Sequence, residues 1–309
     1  MKKFLRDILF GNIPVTEYST VTVKDGILER VFLETGDARI DISVTHWLLC
    51  LDPIVFGIWF AKEENAHSFD INQPYRMYFN DSDKNAEIVA VLNLNFFNKI
   101  EEPDGTLLLL KLVGARIHHI NLIRTRLLFY RYYKKPEQDF YKLKSYSAAY
   151  SYPRKVRLIS FREGDWYNIF PMDLVGDIPG NKRYVFGLRH TNVTLARIIK
   201  TKKMVVSEIP YEYKEIIYKL GKHHREPLSG TKLPISLTQS ALFDFPIPMW
   251  ASSYKEINIV NNMNLGSHML LWGTEINEKD LNGPSRNLFH IHFLHYLHQY
   301  KKGLAYQLV

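Results

Sequence analysis

The chain has 309 residues and a mass of 36.3 kDa, enough for one large or two ordinary domains, and its 46% of apolar residues suffices for a core. An aromatic share of 14%, with 19 Tyr and 18 Phe, favours strands over a helical bundle. The net charge of +8 admits nucleic acid, acidic membrane or phosphorylated ligands, yet no basic tract, zinc pattern or nucleic-acid motif accompanies it, so neither nucleic acid nor membrane is expected as a partner.

A single cysteine, Cys50, excludes an intramolecular disulfide and suits a reducing compartment. It stands in the run WLLCL, where a thiol acts as a small hydrophobe. The opening MKKFLRD breaks its apolar character too early for a signal peptide, and no apolar stretch is long enough to span a bilayer. A cytoplasmic protein is the expectation.

In chain order, residues 1–10 read as a short helix ended by Gly11, and 12–19 as a linker. Strands at 20–23, 27–33 and 38–44, separated by turns at Asp25-Gly26 and Gly36-Asp37, read as a β-meander. The segment 42–60, ISVTHWLLCLDPIVFGIWF, gives a strand, a loop, Pro53 and a strand carrying Val55-Phe56-Gly57. A helix-like or loop stretch at 61–71 and a strand at 75–80 follow, then strands at 86–94 and 106–113 around a turn at Pro103-Asp104-Gly105. Residues 124–135, RTRLLFYRYYKK, read as a helix with its cations in water or as a base-stacking surface. The polar, tyrosine-rich stretch 136–153 reads as an inter-domain linker, which divides the chain into 1–148 and 149–309.

Beyond it, a strand at 156–161 and a turn at Glu163-Gly164-Asp165 lead to 168–175, which lacks a clear period, contains Pro171 and reads as a loop. Residues 183–189 read as a strand whose Gly187 suggests close approach by backbone or ligand. Thr191 and Asn192 suit the N-cap of a helix with Leu195, Ile198 and Ile199 on one face and Lys200, Lys202 and Lys203 at its end. Such a helix start, preceded by Arg189 and His190 and carrying Thr191 and Thr194, offers N–H groups and positive charge to a phosphate. The plainer alternative is a surface helix cap beside a solvated arginine.

A strand at 204–207, a helix at 211–220 stopped by Gly221 and a charged loop from Lys222 to Pro227 come next. Strands at 257–260 and 269–274 pair across a turn near 261–266. Of the C-terminal histidines 290, 292, 295 and 298, His292 and His295 would meet on a helix. No carboxylate or cysteine at ligand spacing joins them, so packing is expected there and no metal.

In order and spacing these elements resemble the flavin reductase-like family, the FMN-binding split β-barrels related to pyridoxamine-phosphate oxidase. The apolar strand at 156–160, the segment 168–176, Pro179, the strand 184–189 ending in a basic residue, the threonine-bearing helix start at 190–194 and the strand 204–207 carry the likeness. So does Leu265-Gly266-Ser267-His268-Met269-Leu270-Leu271-Trp272-Gly273, similar to a family motif built around Gly-Asp-His. The resemblance spans 152–306, about half the chain.

It implies a mainly β split barrel that binds FMN, with FAD as the variant, along Asn168, Ile169, Phe170, Pro171, Met172 and Asp173. It implies a phosphate near Arg189, His190, Thr191, Asn192 and Thr194, and His268 as the catalytic residue beside the flavin ring or the nicotinamide approach. NAD(P)H would deliver hydride while the protein supplies orientation and electrostatics, and His223 or His224 would border the nicotinamide phosphates. The departures are Met172-Asp173-Leu174 for small hydroxyl residues, Ser267 for the usual Asp, and Glu208 where Asn is common. A carboxylate at Asp173 repels a phosphate unless it points away.

The shared Val-Phe-Gly of 55–57 and 185–187 suggests two tandem barrels forming a pseudo-dimer, with a homodimer as the other arrangement. In the first half Ala61-Lys62-Glu63-Glu64 replaces the Arg-His-Thr cluster, so that half reads as scaffold. The competing functional reading is a non-catalytic flavin- or haem-binding or interaction module.

Overall fold

The structure, a computed structural model, describes residues 18–23, 27–62, 73–80, 87–118, 120–123, 125–126, 140–229, 235–292, 294–296 and 306–308. The expected helix at 1–10, the turn at Asp25-Gly26, nearly all of 61–71 and most of 124–135 lie outside these residues.

The first half contributes β1 (Tyr18–Val23), β2 (Arg30–Thr35), β3 (Ala38–Asp41), β4 (His46–Leu51), β5 (Ile54–Ala61), β6 (Tyr75–Asn80), β7 (Ile88–Glu102) and β8 (Gly105–Ile117). Helix α1 (Phe140–Ala149) follows, then β9 (Arg154–Lys155), β10 (Arg157–Glu163), β11 (Trp166–Met172), β12 (Val175–Asp177) and β13 (Arg183–Arg189). Helix α2 (Leu195–Thr201), β14 (Lys203–Glu208) and α3 (Lys214–Leu220) come next. The last strands are β15 (Leu237–Gln239), β16 (Pro246–Pro248), β17 (Ser253–Asn264), β18 (His268–Asp280), β19 (Phe289–His292) and β20 (Tyr306–Leu308).

Two seven-stranded antiparallel sheets organise the molecule. Their strand orders are β3-β2-β6-β7-β8-β5-β4 and β11-β10-β14-β17-β18-β13-β12. Numbered within each half, both read 2-1-5-6-7-4-3, so the halves share one topology. The protein is mainly β, with two curled half-barrel sheets. Inward residues alternate along strands such as β2, where Val31 and Leu33 are fully buried. One cluster joins the sheets, with Phe56, Tyr75 and Phe79 from the first and Phe161, Phe170 and Phe186 from the second.

A second cluster sits where β4, β5 and β8 meet β13 and β18: Trp47, Leu49, Trp59, Leu107 and Leu109 pack on Val185, Leu270 and Trp272. Gly187 permits this approach, since a Cβ there would lie 1.8 Å from the Leu49 carbonyl oxygen. The close neighbour expected at this glycine is therefore the backbone of the other half.

Four expectations change. The strand at 20–23 does not form a hairpin with its successor; β1 pairs with β19 and β20, so the third sheet, β20-β1-β19-β9, takes strands from both ends of the chain. Val21 is fully buried against Ile291 and Tyr296, a contact no local pattern encodes. Residues 168–172 are strand, because β11 is a sheet edge, where Pro171 pairs with Leu158 without a central ladder losing a donor. The expected linker holds α1, whose Leu143 and Ser147, one helical turn apart, are buried with Ala148 and Ala149 while Lys142 faces water. Finally, His290 and His292 lie on β19, and His292 meets Ser147 while His295 meets Glu29, so no helical histidine pair forms. Among the described residues no group of three or more His, Cys, Asp and Glu is placed to hold a metal ion. No helix of those residues is long and apolar enough to cross a membrane.

Candidate functional site

A cavity of about 600 Å³ opens between β11, β13, the start of β18 and the single-turn segment Gly221–His224. Pro171, Met172, Asp173, Arg189, Thr191 and His268 line it, six of the residues singled out from sequence. Leu51 from the first half and Tyr150 from the end of α1 close one side, so both halves build it.

The other expected residues lie behind this wall. Asn168 is fully buried and serves as a hub: its Nδ2 donates to Thr194 Oγ1 at 2.8 Å and to the His223 carbonyl at 2.7 Å, while its Oδ1 accepts from the Leu228 and Ile169 amides. Thr194, also fully buried, begins α2, and the Asn192 side chain accepts its amide hydrogen at 2.8 Å. Asn192, Asn168 and Thr194 thus fix the frame rather than face the cavity. Ile169 and Phe170 are core residues, and His190 turns outward to Asn264 at 3.1 Å. His223 is buried with its Nδ1 on the Glu226 carbonyl, and Glu208 lies away from the cavity, ion-paired with Arg157 and Lys155.

His224 is the histidine that reaches the cavity. Its Nε2 lies 2.8 Å from the Pro171 carbonyl and so donates, which leaves Nδ1 to accept from the Asn192 amide at 3.0 Å. Burial pushes its pKa below the ordinary value, in keeping with that neutral form. The Asp173 carboxylate is engaged by β19: its Oδ2 lies 3.0 Å from His290 Nδ1. Burial alone would raise its pKa, but the hydrogen bond and charge of His290 hold it below the usual carboxylate value.

Arg189 and His268 stand opposite each other on the β13–β18 ladder. His268 is 1% exposed, and burial together with the Arg189 and His190 charges lowers its pKa to about 4, so it is neutral near pH 7. Its Nε2 is buried with no partner among the described residues.

Sequence reasoning missed two cations, placing Lys222 and Arg225 in a solvated loop although both line the cavity with Arg189. None of the three forms an ion pair among the described residues. The cluster Lys222-His223-His224-Arg225 was the available signal; its approach to Arg189 depends on the Asn168 hub.

No protein-family model matches the chain, and no curated protein matches it. Solved structures do. The FMN-binding protein of Thermus thermophilus, seen with p-hydroxybenzaldehyde, aligns at 16% identity over 46% of this chain and 86% of its own, with a TM-score of 0.40. An NADH:FAD oxidoreductase of Streptomyces globisporus aligns at 11% identity over 50% and 90%, with a TM-score of 0.42. The styrene monooxygenase flavin reductase of Pseudomonas putida S12 aligns at 13% identity over 47% and 91%, with a TM-score of 0.40. The similar structures are flavin reductases and FMN-binding proteins, and each aligns with about half of this chain.

Proposed function

We propose that the cavity binds FMN and that the chain acts as a flavin reductase-like oxidoreductase using NAD(P)H. The observation that carries this reading is the convergence of Arg189, Lys222 and Arg225, without carboxylate partners, on one cavity. The same cavity is lined by two carboxylates, Asp173, which bonds His290, and Glu226, so its cations exceed its anions by one, and that excess suits an anionic ligand such as a phosphate ester.

The remaining wall fits the rest of a flavin. Leu51, Met172, Leu174 and Leu188 offer apolar surface to a planar ring. The neutral His268 supplies the polar group, its Nε2 being without a partner among the described residues, while His224 is held by Pro171 and Asn192. Bound flavin supplies the hydride-accepting chemistry, and the chain's residues hold and orient it. Arg189, Thr191, Lys222 and Arg225 engage the phosphate, the Asp173 carboxylate stays hydrogen-bonded to His290, and His268 hydrogen-bonds the ligand.

The test is the visible spectrum of the purified protein before and after mixing with FMN and gel filtration. Flavin bands that survive filtration support the reading, and NAD(P)H oxidation by that sample separates the reductase from a non-catalytic flavin-binding module. Absence of flavin bands, with no quenching of FMN fluorescence on titration, would remove it.

A further inference from the structure

The turn between β4 and β5 inserts Asp52 against the start of β18. The Asp52 amide donates to Ser267 Oγ at 2.9 Å, and the Ser267 amide donates to the Asp52 carbonyl at 2.6 Å. From above, α1 holds this turn in place, with Lys142 Nζ 2.9 Å from Asp52 Oδ2 and Tyr146 donating to the Leu51 carbonyl at 3.0 Å.

Ser267 Oγ also lies 2.8 Å from His268 Nδ1. A backbone amide can only donate, so the Asp52 contact takes a lone pair of Ser267 Oγ and leaves its single proton for another acceptor. Two are in reach: His268 Nδ1 at 2.8 Å and Cys50 Sγ at 3.5 Å. An imidazole nitrogen at that distance is much the stronger acceptor, sulfur being a weak one. Cys50 meanwhile has its own acceptor, the Leu265 carbonyl at 3.5 Å. With Nδ1 accepting from Ser267, the ring proton of neutral His268 resides on Nε2, the buried atom without a partner among the described residues. A buried donor without a partner costs about 1–3 kcal/mol, and a ligand acceptor in the cavity would remove that cost.

We propose that Ser267 is a positioning residue that holds His268 in its Nε2–H tautomer, so that the cavity presents a fixed hydrogen-bond donor, and that the first half of the chain sets this state through Asp52. The reversed arrangement, with Nδ1–H donating to Ser267, would leave a bare lone pair on Nε2, which repels a carbonyl or phosphate oxygen brought to it. Serine fits this task because it donates and accepts at once; an ionised aspartate at the same place would accept only, and would favour the opposite tautomer. That FMN provides the acceptor rests on the reading above; the tautomer does not.

The test uses full-length protein labelled with ¹⁵N-histidine, in a long-range ¹H–¹⁵N spectrum at pH 7, with His268 assigned by the signals lost in His268→Gln. The expected result is an unprotonated Nδ1 and a protonated Nε2. Ser267→Ala should move both nitrogens toward averaged values and weaken FMN binding about tenfold, while Ser267→Thr should restore both. A protonated Nδ1 in the wild-type spectrum overturns the proposal, as does a Ser267→Ala protein whose His268 signals are unchanged. Should the alanine variant not fold, the wild-type spectrum decides alone. The expected tautomer in a protein that binds no FMN would defeat the flavin reading and leave this assignment standing.

Discussion

Arg189 faces His268 across the β13–β18 ladder two residues past Gly187, and two residues past Gly57 in the matching ladder of the first half the facing pair is Trp59 and Leu107. Trp59 is 3% exposed and packs on Trp272 with ring centroids 5.9 Å apart. The two halves share a topology, but an indole and a leucine fill the place that holds a cation and a polar ring in the second. Among the described residues the proposed site therefore occurs once. Equilibrium titration with FMN should saturate at one flavin per chain, and a stoichiometry of two would contradict the filled position.

Arg189 contributes charge at the cavity and forms no ion pair among the described residues. Arg189→Ala should weaken FMN binding by about ten- to a hundredfold, the loss of one charge-assisted hydrogen bond of about 1.5–3 kcal/mol. Lys222 and Arg225 are exposed at the mouth, where their attraction is screened. The double variant Lys222→Ala/Arg225→Ala should reduce the salt dependence of FMN affinity, read by fluorescence quenching between low and physiological salt. An unchanged dependence would move the phosphate elsewhere.

Histidine protonation should dominate stability in mild acid. Burial and the Arg154 guanidinium lower His46 to about 3, and burial with Arg189 and His190 lowers His268 to about 4. Unfolded, both take up protons near the ordinary histidine value of 6.5, so below it the unfolded state binds more protons and stability falls as pH drops toward the folded values. Each group contributes a slope of about 1.4 kcal/mol per pH unit across that interval. Glu208, held at about 2 by Arg157 and Lys155 against the effect of burial, loses its contribution only below about 4.5. The urea midpoint should therefore fall between pH 7.5 and 5.5, and a flat profile would show that these histidines are protonated in the folded state.

Gly187→Ala should destabilise the protein by about 3 kcal/mol, because the new methyl meets the rigid Leu49 carbonyl and the halves must part. Denaturant titration measures it. Stability at the wild-type level would mean that β4 yields more easily than its fully buried Leu48, Leu49 and Cys50 suggest.

Arg157 is 4% exposed and bonds Glu208, the Val175 carbonyl and Asp177. Its replacement by Ala leaves Glu208 as a largely buried carboxylate with Lys155 alone, at a cost of about 3–5 kcal/mol. Calorimetry should show a correspondingly lower Tm. A Tm within a degree of the wild type would mean that water or Lys155 replaces the guanidinium fully.

By itself the sequence determined the mainly β class, the strands at 75–80 and 183–189, the turn at Pro103-Asp104-Gly105 and the second helix with its apolar face. These are set by side-chain period and by turn residues acting over a few positions, so a short window contains the cause. The resemblance carried by the order and spacing of its elements also grouped Pro171, Met172, Asp173, Arg189, Thr191 and His268, which line one cavity.

Only tertiary structure decided the rest. Pro171 reads as a loop residue until β11 is known to be a sheet edge, and α1 reads as linker until a sheet is there to bury Leu143 and Ser147. That β1 joins β19 depends on contacts across more than 260 positions, and so does the Glu29–His295 pair. Lys222 and Arg225 become cavity residues because Asn168 ties their segment to β11 and α2. The state of His268 depends on a turn more than 200 residues before it. Hydrogen-bond directions, burial and charge compensation are properties of neighbours in space, and a linear pattern does not carry them.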